Sequence, residues 1–352
     1  MRSEEKTLII LTPGFPVDES DSTCLPFLQT FLKSLKNNYP GLDIIVITFH
    51  YPSFKGVYEW NGIQIISFNG KNRRMFFKLI LWNKIWKKLQ QLHKANNIIG
   101  VLSLWCNECA FIGKRFSKKN KLKHYCWLWG QDARPGNKYV KRIHPSENEL
   151  IALSDFLQLE FEKNYSIRPG HVIPPGIDYS LFPEDKSDRT IDILGAGSLI
   201  PLKQYDLFLE IIFELKKTLP NIRAALCGKG PEEKALKRRC EQYGLKENVL
   251  FTGELPYREV LELMSKSKIL LHPSSYEGFG CVCGEALGAG AHVISFCKVM
   301  NKKIKQWHIA KDKEEMISKA IEILNLAPPE FISIPDYPIA ETSKRVMALF
   351  GL

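Results

Sequence analysis

The stretch KILLHPSSYEGFGCVCGEALGAGAHVISF (268–296) decides the fold. It opens on a short apolar run, crosses a polar turn, enters a helix rich in small residues and closes on a second apolar run. That alternation is the unit from which parallel α/β sheets are built. Within the turn, Glu277-Gly278-Phe279-Gly280 leads directly into the helix that carries Glu285. Glycines let backbone N–H groups approach an anion with no Cβ in the way. The first turn of the helix offers its amides and its dipole to a phosphate. Glu285, two turns in, is placed to accept hydrogen bonds from a ribose diol, and Glu277 to meet a sugar beyond the diphosphate. A glycine turn flanked by two solvated acids is the competing reading. The seven residues between the glutamates, and the EALGAGA run that follows, favour a nucleotide-diphosphate site.

The same alternation extends outward. TIDILGAG (190–197), IRAALCG (222–228), NVLFTG (248–253), KILLHPS (268–274) and AHVISF (291–296) read as strands. Helical patterns near 204–218, 231–243, 256–266, 281–289 and 312–325 separate or follow them. TLIILTPG (7–14), LDIIVITF (42–49), IIGVLSLW (98–105), HYCWLWG (124–130), ELIALS (149–154) and GHVIPPGI (170–177) form an earlier set of strands, with a helix at LPFLQTFLKSL (25–35). The proline- and charge-rich PPGIDYSLFPEDKSDRT (174–190) has a linker's composition. Two Rossmann-like domains are expected, 1–183 and 184–336, with 337–352 a helix crossing back to the first. Their parallel sheets would face each other across a cleft, with ligand outside the carboxyl ends of the strands.

A chain of 352 residues accommodates two such domains. No run of 18 apolar residues predicts a membrane span, and MRSEEKTLIILTPGF reads as a first strand rather than a signal peptide. Nine irregularly spaced cysteines fit reduced cytoplasmic thiols. Cys106/Cys109 and Cys281/Cys283 lack the second pair that a zinc site needs. The net charge of +11 points to an anionic partner.

The Glu277-Gly278-Phe279-Gly280 loop with Glu285 resembles the donor-site motif of retaining glycosyltransferases of family 4, which adopt the GT-B fold. Supporting segments follow in the family's order. PPGID (174–178) is similar to the element closing its N-terminal domain. GSLIPLKQYD (197–206) is similar to its diphosphate loop, with Lys203 on the family's lysine, Ser198 where an arginine is expected and Gln204 where a glycine is. The missing cation either weakens diphosphate binding or leaves the charge to another residue, with Arg134 and Arg258 the candidates. LCGKGPEEKAL (226–236) supplies Gly228, either as nucleotide contact or as a turn supporting the sheet. FTGELPYREV (251–260) would lay Gly253 and Glu254 against the base. The resemblance covers essentially the whole chain, strong over 190–290 and weak over the first 130 residues.

For the N-terminal half, the resemblance implies acceptor binding. Gly14, in TPGFPVDESDS (12–22), stands where the family brings a glycine to the diphosphate. WLWGQDAR (127–134) resembles an H-G-x-D segment of the acceptor side, with Trp129 in place of the histidine and Asp132 on the aspartate. Asp132 is then the candidate to orient or deprotonate the acceptor, or else caps a turn. No partner is evident for His50, His124, His144 or His272. The resemblance implies metal-independent transfer of a hexose-type sugar from a UDP-sugar, favoured over a GDP-sugar, to a glycan or lipid-linked acceptor. KNRRMFFKLILWNKIWKKLQQLHK (71–94) has an apolar stripe of Phe76, Phe77, Leu79, Ile80, Trp82, Ile85, Trp86 and Leu89 beside lysines. It is either a helix packed on the sheet or a contact to an anionic membrane on the cytoplasmic side. No motif accompanies the charge to suggest nucleic acid. The rival readings are a silent binding subunit and a sugar-nucleotide epimerase. The lack of G-x-G-x-x-G after the first strand argues against a nicotinamide dehydrogenase.

Overall fold

The computed structural model describes residues 5–72, 75–183, 188–326 and 331–352. Arg73 and Arg74 of the basic segment, and 184–187 of the expected linker, lie outside them. The chain divides into two compact units, Met1–Gly176 with Ile339–Leu352, and Ile177–Pro338.

The first unit runs β1 (Lys6–Thr12), α1 (Pro26–Asn38), β2 (Leu42–Thr48), β3 (Gly56–Trp60), β4 (Ile63–Ser67), α2 (Met75–Ala95), β5 (Asn97–Leu104), α3 (Glu108–Asn120), β6 (Lys123–Trp127), α4 (Lys138–Ile143), β7 (Leu150–Ala152), α5 (Asp155–Tyr165) and β8 (His171–Val172). Its sheet has the order β3-β4-β2-β1-β5-β6-β7-β8 and is parallel except for the β3–β4 pair. That hairpin is absent from the sequence reading. Asn61 and Gly62 join its strands, both at positive φ (46° and 71°), the backbone that a two-residue hairpin turn requires. The strand expected over 170–177 shortens to two residues, because Pro174 and Pro175 bring no N–H to a ladder.

The basic aromatic segment forms α2, and its apolar residues divide. Leu81, Ile85, Leu89 and Leu92, at helical spacing, are buried in the core beneath the sheet, with Trp82 and Trp86 packed at its edge. Phe76, Phe77, Leu79 and Ile80 stay 70%, 50%, 55% and 40% exposed.

The second unit runs β9 (Ile191–Ala196), α6 (Tyr205–Thr218), β10 (Ala224–Cys227), α7 (Glu233–Gln242), β11 (Val249–Gly253), α8 (Tyr257–Ser265), β12 (Ser267–His272), α9 (Cys281–Gly288), β13 (His292–Ser295), β14 (Trp307–Ile309) and α10 (Lys313–Leu324). All pairings in the sheet, ordered β11-β10-β9-β12-β13-β14, are parallel. Helix α6 shows why the alternation was legible. Phe208, Leu209, Ile211, Ile212 and Leu215 are fully buried against the sheet, each stabilising the fold by about 1.5–3 kcal/mol relative to exposure. The final helix, α11 (Ile339–Phe350), belongs to the first unit. Ser343 bonds Ser34 of α1 at 2.8 Å, and Thr342 donates to the Pro174 carbonyl at 3.1 Å.

Candidate active site

In an open parallel sheet, ligands bind outside the strand carboxyl ends where the chain reverses its direction of strand addition. In the second unit that point lies between β9 and β12, since β10 and β11 are added on one side and β13 and β14 on the other. The two loops leaving this point carry Lys203 and Glu277.

These loops are fastened together. The Ser275 N–H donates to the Leu202 carbonyl at 3.0 Å, and the Ser274 hydroxyl donates to the same oxygen at 3.2 Å. The Lys203 ammonium then reaches Oε1 of Glu277. His272, the last residue of β12, places Nε2 2.8 Å from that same oxygen. Both donors therefore fall on Oε1. The Glu277 side chain is 11% exposed and that of His272 2%. Burial pushes the Glu277 carboxyl up, but the His272 hydrogen bond and the His272 and Lys203 charges outweigh it, holding the group down at about 2. It is an ionised acceptor throughout the neutral range. His272 is the residue the sequence reading missed; its position at the end of a strand, five residues before an acid, was the available signal.

Phe279 does not present its side chain to a ligand. It is 1% exposed and meets the Tyr337 ring edge-on at 5.3 Å. That buried ring anchors the loop backbone. Gly280, at φ 72°, turns the chain into α9. Glu285 accepts a hydrogen bond from the Tyr257 hydroxyl at 2.9 Å. Burial raises its pKa to about 7, opposed only by that bond.

Ser198 is exposed and brings no charge. Arg258, 82% exposed, lies 3.9 Å from Glu262 on its own helix. Gly228 belongs to the scaffold: its N–H donates to the Gly253 carbonyl at 2.8 Å, and a Cβ there would lie 1.9 Å from the Gly197 carbonyl oxygen. Gly253 has open space around it, and the Glu254 carboxylate pairs with Lys229.

In the first unit, Gly14 packs on Tyr51, whose Cβ would be 3.2 Å from an added one. Asp132 is 3% exposed, and its carboxylate accepts the Trp129 N–H at 2.8 Å. Burial raises its pKa to about 7, while backbone bonds from Trp129 and Cys106 oppose the rise. It caps the Trp129 turn. A second buried acid, Glu108, was also missed. Its Oε1 meets His50 at 2.8 Å and Lys78 at 3.1 Å, and its Oε2 accepts from the Trp82 indole at 2.6 Å. Burial raises its pKa, but the His50 and Trp82 bonds outweigh this and bring it down to about 2. The group ties α2 to the end of the sheet.

Residues 180–329 match the family model of the glycosyl transferases group 1. The phosphatidylinositol N-acetylglucosaminyltransferase gpi3 subunit of Schizosaccharomyces pombe is 26% identical over 272 residues, covering 72% of this chain. The chain spans 59% of that relative's length. Anabaena Alr3699/HepE, solved with UDP and glucose, superposes with a TM-score of 0.70 at 16% identity, over 99% of this chain and 100% of that one. Staphylococcus aureus TarM, in a complex containing UDP, gives 0.71 at 12% identity, over 99% and 100%. The fold is GT-B.

Proposed function

Because residues 180–329 are a glycosyl transferases group 1 domain, we propose that the chain moves a hexose-type sugar from a nucleotide diphosphate to a saccharide or lipid-linked glycan, with retention. A UDP-sugar is the favoured donor and the second unit its site. The observation that carries the reading is the Lys203–Glu277–His272 group at the β9/β12 reversal, beside the N-terminus of α9. In this reading Glu277 accepts a hydroxyl of the transferred sugar on Oε2. The bond from the anomeric carbon to the diphosphate oxygen breaks as the acceptor hydroxyl oxygen bonds to that carbon from the same face. The hydroxyl passes its proton to the departing diphosphate, whose charge Lys203 and the α9 amides stabilise. This assignment needs no metal ion. Glu285 takes the ribose diol. Asp132 is assigned to holding its own loop, not to proton transfer.

Thermal stabilisation by UDP-, GDP- and ADP-sugars tests the donor. A selective shift is expected, lost in Glu285→Ala. The shift should also depend on pH. A carboxylate accepting two hydroxyls must be ionised, and Glu285 ionises near 7, so the ligand-induced shift grows between pH 6 and pH 8. The ligand-free protein moves the other way. With the folded pKa above the unfolded one, this group's contribution is full below the ordinary carboxyl range and is lost as pH rises through about 7. Glu285→Gln should flatten both trends. No shift with any nucleotide at either pH would instead support a silent binding subunit.

The start of α2 is the surface we assign to an anionic membrane. Phe76, Phe77, Leu79 and Ile80 are exposed on successive turns, with Lys84, Lys87 and Lys94 exposed further along the helix. No described helix is long and apolar enough to cross a membrane, so contact would be interfacial. Each lysine near an anionic surface contributes about 1 kcal/mol. Cosedimentation with phosphatidylcholine vesicles is expected only when phosphatidylglycerol is included, and to be lost in the Phe76→Glu, Phe77→Glu double variant. Equal binding of variant and parent would remove the assignment.

A further inference from the structure

The first unit has its own reversal point, between β1 and β5, because β2, β4 and β3 are added on one side and β6 to β8 on the other. Aromatic rings gather there. Phe27 lies in the first turn of α1, after the loop from β1; Trp105 directly follows β5; Trp129 follows β6 by two residues. The Phe27 and Trp129 centroids are 3.8 Å apart, and Trp105 and Trp129 lie 5.2 Å apart with planes 30° from each other. All three residues are half-buried and keep exposed surface. Trp127 beneath them differs: it is fully buried and donates its indole N–H to the Ile173 carbonyl at 3.1 Å.

Two details show that the cluster is held in place from the backbone. Trp105 sits at φ 67°, a conformation that bulky residues seldom take, with its N–H donating to the Trp127 carbonyl at 3.0 Å. Strain of this kind concentrates where a site positions a ligand. Trp129 is fixed through its main-chain N–H by the buried Asp132, while its indole N–H meets no acceptor among the described residues. Asn137 braces the same loops, donating to the Cys106 carbonyl at 2.9 Å.

We propose that Trp105, Trp129 and Phe27 form a shelf on which a pyranose ring of the acceptor stacks. The π face of an aromatic ring is electronegative and attracts polarised C–H groups. A pyranose with its axial hydrogens on one side presents such a face, while its equatorial hydroxyls point outward to water and polar neighbours. The shelf thus selects for ring shape and leaves linkage to the surrounding loops. This rests on the glycosyl-transfer reading above.

Saturation-transfer NMR on the full chain separates the two ideas, with UDP and a set of methyl pyranosides (gluco, manno and N-acetylglucosaminyl) in one tube. Saturation is expected on the axial protons of at least one glycoside, lost in Trp129→Ala and Trp105→Ala and kept in Trp129→Tyr, which retains a ring. The uridine signals should be unchanged in every variant, which also reports that each has folded. Glycoside saturation unaffected in both alanine variants, or absent while uridine is saturated, overturns the shelf. Uridine saturation lost with Trp129 overturns it too, showing a base-stacking surface instead. No uridine signal in the parent chain overturns the UDP reading and the shelf with it.

Discussion

Lys203→Ala is expected to lower kcat for sugar transfer by about 10²–10³-fold, the usual consequence of deleting one preorganised group that stabilises transition-state charge. The lysine has two tasks in the proposed chemistry. It neutralises the leaving diphosphate, and with His272 it holds Oε1 of Glu277. Ser198 stands where the related family carries a second cation, and Arg258 points to Glu262 on its own helix. The loss should therefore fall on turnover. Removing the cation also relaxes Glu277. Its carboxyl is held at about 2 partly by Lys203, so its pKa rises and the acid limb of the kcat–pH profile moves to higher pH. His272→Gln, which keeps a donor at the same oxygen, should cost less. A Lys203→Ala enzyme within about threefold of the parent, under about 0.7 kcal/mol, would remove the lysine from the mechanism.

The strand–loop–helix over 267–288 was legible because its pattern is local. An apolar run, a glycine-bearing turn and a small-residue helix specify it without reference to the rest of the chain. What escaped depends on contacts across the sheet. That His272 and Lys203 share one oxygen of Glu277 follows from which loops adjoin at the strand reversal. Glu108 gathers His50 from the loop after β2 and Lys78 and Trp82 from α2. Phe279 lay inside the motif, yet its ring faces the core. The β3–β4 hairpin was overlooked because it lies at the sheet edge, where Val57 and Glu59 face outward and no continuous apolar run forms. Asn61-Gly62 alone marked it. In α2, helical spacing identified the stripe but not which part of it the sheet would cover. Ile85 and Leu89 went inside, and Phe76 and Phe77 did not.

Gly228→Ala is the substitution expected to be most damaging to the fold. At φ 135°, the position is one that essentially only glycine occupies. The added methyl would sit 1.9 Å from the Gly197 carbonyl oxygen, a backbone atom with no rotamer to change. That carbonyl cannot retreat easily, because Gly197 N–H is bonded to the Cys227 carbonyl at 3.0 Å and Leu199 N–H to the Lys229 carbonyl at 3.0 Å. Backbone strain of about 1–3 kcal/mol and overpacking of about 1–3 kcal/mol together take a large part of a domain's usual 5–15 kcal/mol. For a unit of this size the midpoint should fall by roughly 5–20 °C, or the second unit should fail to fold. Gly253→Ala is the control. Its φ of 72° also favours glycine, but nothing lies within 4 Å of an added Cβ, so only the conformational cost of about 1 kcal/mol applies. The pair separates scaffold from contact at the carboxyl ends of β10 and β11. A large midpoint loss confined to Gly228→Ala makes that glycine the point where the loops after β9 and β10 close on each other. A Gly228→Ala protein that melts like the parent but has lost its nucleotide-induced shift would mean that the methyl displaces the ligand and not the Gly197 backbone.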